Sequence, residues 1–332
     1  MTKIDIISGF LGAGKTTLIK KLLEEKAFAK DKLVLIENEF GEIGIDGAVF
    51  KNHGIEIKEM NSGCICCSIA GDFKKALHEI MKRYQPDRII IEPSGVGKLS
   101  DVIKGCKQFT EDNAVTVNIC MTVVDAEKYR MYMENFAEFY SDQIKQAKTI
   151  ILSRTKSMKP EKLEQTITDI KKYNKLAPFI ITEWDLLSGV EIVKLAEDSK
   201  RYFIEHSLLN EVKSMVKLTQ RTWKLPKDWK PGSIDKQHHH ANDVFSVWSK
   251  ETSKIFDYRQ LKEALSKLDY LQGSVLRAKG IVRTDQNQWI QFDYVPGENT
   301  IKETAADVAG RICVIGEHIN DLELAGLFGL EK

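Results

Sequence analysis

Near the start of the chain, residues 9–16 combine three glycines with a lysine and a threonine, in the order Gly-Phe-Leu-Gly-Ala-Gly-Lys-Thr. The glycines allow backbone N–H groups to point at anionic oxygens, and a helix that begins at the lysine adds the positive end of its dipole. In this spacing the lysine bridges the β- and γ-phosphates, and the threonine hydroxyl ligates Mg²⁺. The segment therefore predicts a nucleoside-triphosphate site. The expected contacts are Gly9, Gly12, Ala13, Gly14, Lys15, Thr16 and Thr17.

A second acidic element is expected beside this loop, because the water shell of Mg²⁺ needs an anionic acceptor. Residues 89–95, Ile-Ile-Ile-Glu-Pro-Ser-Gly, fit that requirement, since Glu92 ends an apolar run. Gly95 could bring a backbone N–H to the γ-phosphate, so the segment could distinguish triphosphate from diphosphate. Lys15, Glu92 and Gly95 are the expected catalytic residues, and a strand-ending turn is the alternative interpretation of residues 92–95.

Residues 37–47 follow the second predicted strand and are acidic, rich in glycine and without regular periodicity. They predict a mobile loop. Its carboxylates, which include Glu37 and Glu42, could contact magnesium, orient the attacking water or ligate a second metal. A solvated acidic loop explains the same composition, and the sequence does not decide among these roles.

Three cysteines, Cys64, Cys66 and Cys67, lie within four residues between the acidic loop and Glu92. Thiolates prefer zinc and other soft or borderline ions, and three sulfurs on a short turn form most of a tetrahedral shell. The open fourth position would suit a metal that is handed on. A structural zinc and a redox switch are the alternatives.

Two further groups of metal-ligating residue types are less informative. Residues 238–240 are three internal histidines, which could collect a transition metal loosely or could simply be solvated. Cys120 and Cys313 lie in apolar runs, so each is expected to pack as a small core hydrophobe.

The elements that must position these residues follow an alternating pattern up to about residue 200. Short β-branched runs alternate with longer amphipathic stretches, which predicts βαβ units and a mainly parallel sheet with helices on both faces. The fold class is therefore α/β, with a P-loop NTPase domain over residues 1–204. The predicted strands are 3–8, 32–37, 88–92, 115–124, 149–153 and 178–182.

The composition changes between residues 205 and 242, which predict an interdomain linker that contains the histidine run. Residues 243–332 predict a small α+β domain. Its expected elements are strands over 243–248, 274–283 and 289–295, and an amphipathic helix over 258–268.

The charge balance and the chain's first residues restrict the expected partners and location. With 49 basic and 48 acidic residues, the net charge of +1 implies no overall attraction to nucleic acid or anionic lipid. The first residues run directly into a strand pattern, and no apolar run is long enough to span a membrane. We therefore expect a cytoplasmic protein without nucleic acid or membrane partners.

Taken together, the phosphate loop, the cysteine turn and residues 92–95 resemble the CobW-type GTPases, relatives of the nickel-insertion GTPases for urease and hydrogenase. The resemblance covers most of the chain, because residues 276–280 and 289–297 look like that family's C-terminal domain. It implies hydrolysis of GTP to GDP and phosphate, coupled to loading a metal into a client metalloprotein. It also implies zinc or a related transition metal at Cys64, Cys66 and Cys67, with Glu37 or Glu42 nearby. Homodimer formation is left open.

One segment departs from the family pattern. Where the family usually has Asn-Lys-x-Asp, residues 153–156 are Ser-Arg-Thr-Lys. Arg154 could stack over a purine and Ser153 could lie beside it, but Lys156 cannot accept hydrogen bonds from guanine. GTP is favoured by the resemblance, and a P-loop ATPase or small-molecule kinase is one alternative. A nucleotide-binding redox or metal sensor without significant turnover is the other. No arginine finger or water-orienting glutamine is identified, so slow turnover is expected.

Overall fold

The structure is a computed structural model that describes residues 1–37, 56–59, 70–110, 115–197, 244–286, 288–307 and 309–331. The predicted cysteine turn, Glu42 and the predicted linker with its histidine run lie outside these residues. Within the described ranges, no helix combines the length and the apolar character that a membrane crossing requires.

The first part of the chain forms a parallel sheet, as predicted, in the order β3-β2-β4-β1-β5-β6-β7. The six predicted strands are confirmed, and β3 was not predicted. The strands are β1 Thr2–Gly9, β2 Leu33–Glu37, β3 Glu56–Glu59, β4 Arg88–Glu92, β5 Val115–Asp125, β6 Thr149–Ser153 and β7 Phe179–Ile180.

Helices cover both faces of this sheet, as the alternating pattern predicted. Their bounds are α1 Lys15–Glu24, α2 Ala70–Tyr84, α3 Leu99–Thr110, α4 Tyr129–Asn135, α5 Ala137–Gln146, α6 Pro160–Tyr173 and α7 Gly189–Glu197. Side chains alternate along each strand, so Ile90 packs with α1 and α7 while its neighbours Ile89 and Ile91 pack with α2 and α3. Near-continuous apolar strands such as β4 are therefore buried on both sides.

The C-terminal part forms a second, largely antiparallel sheet in the order β12-β11-β10-β13-β8, with β9 added in parallel beside β10. Two helices pack on one face of it, through apolar residues such as Leu265 and Phe328. The α+β prediction is confirmed. The elements are β8 Ser246–Thr252, β9 Ile255–Phe256, α8 Tyr258–Lys267, β10 Ser274–Thr284, β11 Trp289–Val295, β12 Glu298–Glu303, β13 Gly310–Glu317 and α9 Asp321–Phe328.

The opposite face of the second sheet packs against the first part of the chain. Leu276 and Ile281 of β10 share one hydrophobic cluster with Phe10 and with Phe136. Phe245 packs against Phe136 at a ring-centroid distance of 5.7 Å. One face of the C-terminal sheet is therefore directed toward the predicted phosphate loop.

Candidate nucleotide-binding site

Five neighbouring strands of the parallel sheet end in polar residues or glycine at the same edge. Glu37 and Glu92 are partners in the β2–β4 register, and Asp125 and Ser153 are partners in the β5–β6 register. Gly9 ends β1, which lies between β4 and β5. Because this is the carboxyl edge of the sheet, it is where open α/β folds bind their ligands.

The glycine-rich segment curls between β1 and α1. Gly12 and Gly14 have φ angles of 68° and 104°, in the region that residues with a side chain rarely adopt. Gly14 immediately precedes α1, whose first residue is Lys15. The loop therefore has the left-handed turns that direct backbone N–H groups inward, at the N-terminus of a ten-residue helix.

The side chain of Lys15 is 4% exposed and folds back over the loop, with Nζ 3.4 Å from the carbonyl oxygen of Phe10. An ammonium group in this position can bridge phosphate oxygens without moving away from the loop. Its role remains a prediction, but its placement at the head of α1 is the one that the spacing requires.

Thr16 and Glu92 form the oxygen-rich part of the site. The hydroxyl of Thr16 donates to Oε1 of Glu92 at 2.8 Å, and Glu92 is 7% exposed. Glu37 is also buried and lies beside Glu92 in the strand register. A hydroxyl and carboxylates are the hard oxygen donors that Mg²⁺ prefers, so this donor set fits the ion. The family resemblance implied that Glu37 lies near a transition metal held by Cys64, Cys66 and Cys67. That role stays a prediction, because the three cysteines lie outside the described residues.

The segment after Glu92 packs directly against the phosphate loop. A methyl group built on Gly95 would lie 2.8 Å from the backbone nitrogen of Leu11, so only glycine allows this approach. Gln143, a fully buried residue of α5, donates through Nε2 to the carbonyl oxygens of Gly95 and Gly97 at 2.9 and 2.8 Å. Gln143 was not predicted from the sequence. Its two hydrogen bonds hold the backbone of Gly95, the residue that is predicted to contact the γ-phosphate.

The predicted base-contacting residues make contacts with the loop itself. The Ser153 hydroxyl donates to the carbonyl oxygen of Ala13 at 2.8 Å. Arg154 donates through Nη1 to the carbonyl oxygen of Gly12 at 2.8 Å and to Oδ2 of Asp125 at 2.7 Å. Ser153 and Arg154 therefore brace the phosphate loop, and their contact with a base stays a prediction.

Asp125 is a site residue that the sequence did not indicate. It is fully buried, and its Oδ1 accepts hydrogen bonds from the backbone nitrogens of Glu127 and Lys128 at 3.0 Å each. Burial raises the pKa of Asp125, and the charge of Arg154 opposes that rise. The sequence signal that could have indicated Asp125 is its position directly after the predicted strand 115–124. In the structure, Asp125 holds the guanidinium of Arg154 against the phosphate loop.

A cavity of about 420 Å³ opens beside the loop and continues to the C-terminal sheet. Its volume falls within the range of small-molecule sites, which is roughly 300–1,000 Å³. The first part of the chain contributes Gly12, Gly14, Lys15, Thr16, Thr17, Lys20 and Arg154, and the C-terminal sheet contributes Arg277, Gln291, Asp293, Val295, Glu298, Thr300 and Lys302. The sequence did not predict that any C-terminal residue would line the site.

The described cysteines behave as the sequence predicted for core thiols. Cys120 and Cys313 are buried, as is Cys106, and no two of these described cysteines are joined in a disulfide bond. Burial raises the pKa of Cys106 to about 12 and that of Cys120 to about 11, so both stay protonated near neutral pH. Among the described residues, no three His, Cys, Asp or Glu side chains meet as a metal site.

Comparison with known proteins yields two family matches. Residues 3–181, more than half of the chain, match the model of the CobW/HypB/UreG nucleotide-binding domain. Residues 245–329 match the model of the cobalamin synthesis protein CobW C-terminal domain.

Three curated relatives illustrate these matches. The zinc chaperone YeiR of Escherichia coli is 31% identical over 161 residues, which are 48% of this chain and 49% of the relative. The zinc chaperone CobW of a Sinorhizobium species is 33% identical over 204 residues, 53% of this chain and 57% of the relative. The zinc-regulated GTPase metalloprotein activator 1 of Schizosaccharomyces pombe is 25% identical over 321 residues, 88% of this chain and 74% of the relative. The chain spans about half the length of the first two relatives.

Proposed function

Since the chain belongs to the CobW/HypB/UreG family of nucleotide-binding proteins, we propose that it is a GTP-dependent metallochaperone. In this proposal it hydrolyses GTP to GDP and phosphate, and it couples hydrolysis to binding a transition metal, zinc first, and delivering it to a client metalloprotein. The observation that carries the proposal is the phosphate loop. Left-handed glycines precede Lys15 at the start of α1, and Thr16 lies 2.8 Å from Glu92.

In this proposal, different residues of the chain bind the phosphates, hold Mg²⁺ and contact the γ-phosphate. The loop amides and Lys15 bind the phosphates, and Thr16 and Glu92 would hold Mg²⁺, which when bound neutralises charge between the β- and γ-phosphates. Gln143 donates to the carbonyl oxygen of Gly95, and the backbone N–H of Gly95 would contact the γ-phosphate. Because this contact is lost when the γ-phosphate leaves, the segment 92–97 can distinguish GTP from GDP. Arg154 keeps the loop carbonyl of Gly12 in place throughout.

The proposed coupling between nucleotide hydrolysis and metal binding rests on the position of the cysteines in the sequence. Cys64, Cys66 and Cys67 occur between Glu37 and Glu92, whose strands are neighbours at the carboxyl edge. A change at this edge on hydrolysis would shift the connected segment, which also contains Glu42. Thiolate ligation of zinc would then differ between nucleotide states, and by linkage zinc would change nucleotide affinity by the same factor. The names of the relatives, which are zinc chaperones and a zinc-regulated activator, support zinc as the cargo.

The finer parts of the proposal rest on the sequence. The proposed domains are residues 1–204 and 243–332 with a linker over 205–242. Cytoplasmic location, homodimer formation and the absence of nucleic acid or membrane partners stay predictions. Guanine selectivity also stays a prediction, because residues 153–156 lack the carboxylate of the family pattern.

The proposal is tested by measuring zinc affinity in the apo, GTP-analogue and GDP forms, together with phosphate release from GTP and from ATP. We expect zinc affinity to differ between nucleotide states and phosphate release to be lost in Lys15→Ala. Cys66→Ala should lose the nucleotide-dependent zinc binding but still bind GTP. Cys106→Ala, which removes a buried thiol, is the matched control for Cys66→Ala. Equal zinc affinity in all three forms would rule out the coupling, and preferred turnover of ATP would favour the ATPase alternative.

A further inference from the structure

A polar area on one face of the C-terminal sheet borders the cavity. Side chains alternate along a strand, so residues 291, 293 and 295 of β11 share a face, and residues 298, 300 and 302 of β12 share one also. The register joins them, because Gln291 pairs with Lys302, Asp293 with Thr300 and Val295 with Glu298. All six line the cavity, together with Arg277 of β10. The wall is therefore a continuous surface of three strands.

The charges around the cavity favour a polyanion. Among the residues that the structure describes, five cationic side chains line the cavity against two carboxylates, Asp293 and Glu298. Two of the cations, Arg277 and Lys302, come from the C-terminal sheet. A concave site with an excess of one charge attracts ligands of the opposite sign. The phosphate chain of a nucleotide has that charge.

Arg277 is the less exposed of the two cations. Its side chain is 14% exposed, and Asp293 accepts from its Nη2 at 2.8 Å and from its Nε at 3.3 Å. This two-point contact fixes the plane of the guanidinium, and a preorganised guanidinium can contact phosphate with little loss of side-chain entropy. Lys302, an exposed residue of β12, supplies a point charge on the same face.

Three contacts among the described residues join this wall to the first part of the chain. Arg154 bonds the Gly12 carbonyl through Nη1, and its Nη2 lies 3.1 Å from Oε2 of Glu298. Lys128 donates to the carbonyl oxygen of Pro296 at 2.9 Å. A methyl group built on Gly12 would lie 2.3 Å from Cγ1 of Val295, so the end of β11 approaches the loop closely. The two walls of the cavity are thus joined at the loop.

We propose that the C-terminal sheet is the second wall of the nucleotide site, and that Arg277 and Lys302 contact the phosphates of the bound nucleotide. Asp293 is a positioning residue that orients Arg277. The inference rests on the proposed function, since it assigns new contacts to the same triphosphate. It also makes the nucleotide a bridge between the two parts of the chain, so nucleotide binding and docking of the C-terminal sheet favour each other.

The experiment measures the affinity of the full chain for a fluorescent, non-hydrolysable GTP analogue and for the matching GDP analogue. Loss of a charge-assisted phosphate contact should weaken binding of the GTP analogue by about tenfold or more in Arg277→Ala. Lys302→Ala should weaken it by a smaller factor, and Asp293→Asn should weaken it through Arg277. Arg277→Lys should recover part of the affinity because it keeps the charge.

Lys250→Ala is the control, because Lys250 is an exposed lysine of the same sheet on β8 and does not line the cavity. Urea unfolding without nucleotide shows whether each variant is folded. If Arg277→Ala is not folded, Lys302→Ala and Arg277→Lys decide the question. Wild-type affinity in every folded Arg277 and Lys302 variant, alongside lost binding in Lys15→Ala, would overturn the second wall and leave the proposed function intact. A wild-type chain that binds neither analogue would overturn both.

Discussion

The two edges of the parallel sheet both bury charged side chains, and their surroundings are opposite. At the carboxyl edge, Lys15 and Arg154 line a cavity of about 420 Å³ beside a loop with left-handed glycines. At the amino edge, Arg88, the first residue of β4, is surrounded by carboxylates of the chain. The carboxyl edge can accept a ligand between its charges, whereas the amino edge has filled that space with its own side chains.

The amino edge forms a compact ion network. Arg88 pairs with Asp5 through Nη1, with Asp31 through Nε at 2.6 Å and with Glu197 through Nη2 at 3.1 Å. Asn118 donates to both Asp5 and Glu197, at 2.8 and 2.9 Å. Burial works against the charge of Arg88, but the carboxylates outweigh it and raise its pKa above the ordinary value.

The difference between the edges shows that buried charge alone does not indicate a functional site. Perturbed pKa values occur at both edges, since burial raises the pKa of Asp5 at one and of Asp125 at the other. Within the described residues, the carboxyl edge differs by the left-handed glycines of its loop and by the cavity that it lines. If this distinction is correct, substitutions at the amino edge change stability, and substitutions at the carboxyl edge change nucleotide chemistry.

The largest expected effect is that of Arg88→Ala. Removing the guanidinium leaves Asp5, which is fully buried, without its main counter-charge. Breaking a buried pair from one side costs ~3–5 kcal/mol of the free energy of unfolding. Phosphate release per folded molecule should stay at the wild-type level. Urea unfolding and a phosphate-release assay measure the two quantities on the same preparations.

Arg130→Ala is the matched control for Arg88→Ala. Arg130 forms an exposed pair with Glu134 at 3.0 Å, with its side chain 84% exposed. Such pairs contribute about 0.5 kcal/mol or less. Two results would contradict a purely structural role of the amino edge. One is that Arg88→Ala unfolds at the same urea concentration as Arg130→Ala. The other is that folded Arg88→Ala no longer releases phosphate.

Thr16→Ala, at the carboxyl edge, should slow phosphate release strongly and reduce stability less than Arg88→Ala does. It removes the hydroxyl that donates to Glu92 at 2.8 Å and that we expect to ligate Mg²⁺. The loss of one charge-assisted contact corresponds to a fall of about 10- to 100-fold in kcat/KM. The Mg²⁺ concentration needed for half-maximal phosphate release should rise. The free energy of unfolding should fall by no more than about 3 kcal/mol, the upper end for a hydrogen bond to a charged group.

Thr16→Ser keeps the hydroxyl and is the control for this substitution. It should recover most of the rate and of the Mg²⁺ response. If Thr16→Ala released phosphate at the wild-type rate, the oxygen donors at the carboxyl edge would have only a structural role, like the ion network at the amino edge.

Sequence reasoning succeeded where local pattern decides the structure. The apolar runs before Glu92 and Ser153 predicted β4 and β6 because strands buried on both faces are apolar throughout. The loop before α1 was predictable because its geometry depends on glycine spacing. By contrast, β3 is the short charged segment Glu-Ile-Lys-Glu, which has neither length nor an apolar run to indicate a strand.

The site residues that were missed depend on contacts between distant parts of the chain. Gln143 meets Gly95 across 48 residues, and Glu298 meets Arg154 across a still longer separation. The base contact of Arg154 stays a prediction, and its observed partners are a loop carbonyl, Asp125 and Glu298. No periodicity or spacing encodes such pairs. The C-terminal wall could therefore be found only from the packed structure.

The smallest expected effect is the pH dependence of Glu197→Gln at the amino edge. Although partial burial opposes it, hydrogen bonds from Asn118, Lys3 and Arg88 lower the pKa of Glu197 below its ordinary value of 4.5. A carboxylate with a lowered pKa in the folded state stabilises the protein above its unfolded-state pKa. That stabilisation is lost as the pH falls through the folded-state pKa. Its side chain is 31% exposed, so solvent screening limits the effect to about 1 kcal/mol or less.

Urea unfolding of the wild type and Glu197→Gln should therefore differ at pH 7, with the wild type more stable. The difference should narrow as the pH is lowered below 4.5. Asp5 titrates in both proteins but shares Arg88 and Asn118 with Glu197, so the measured difference includes the coupling between the two carboxylates. Glu161→Gln, which changes an exposed glutamate of α6, should show a smaller difference at pH 7. A Glu197 difference that persists at low pH would mean that the side chain acts at the amino edge through its hydrogen bonds, because glutamine and protonated glutamate are both uncharged and have nearly the same shape.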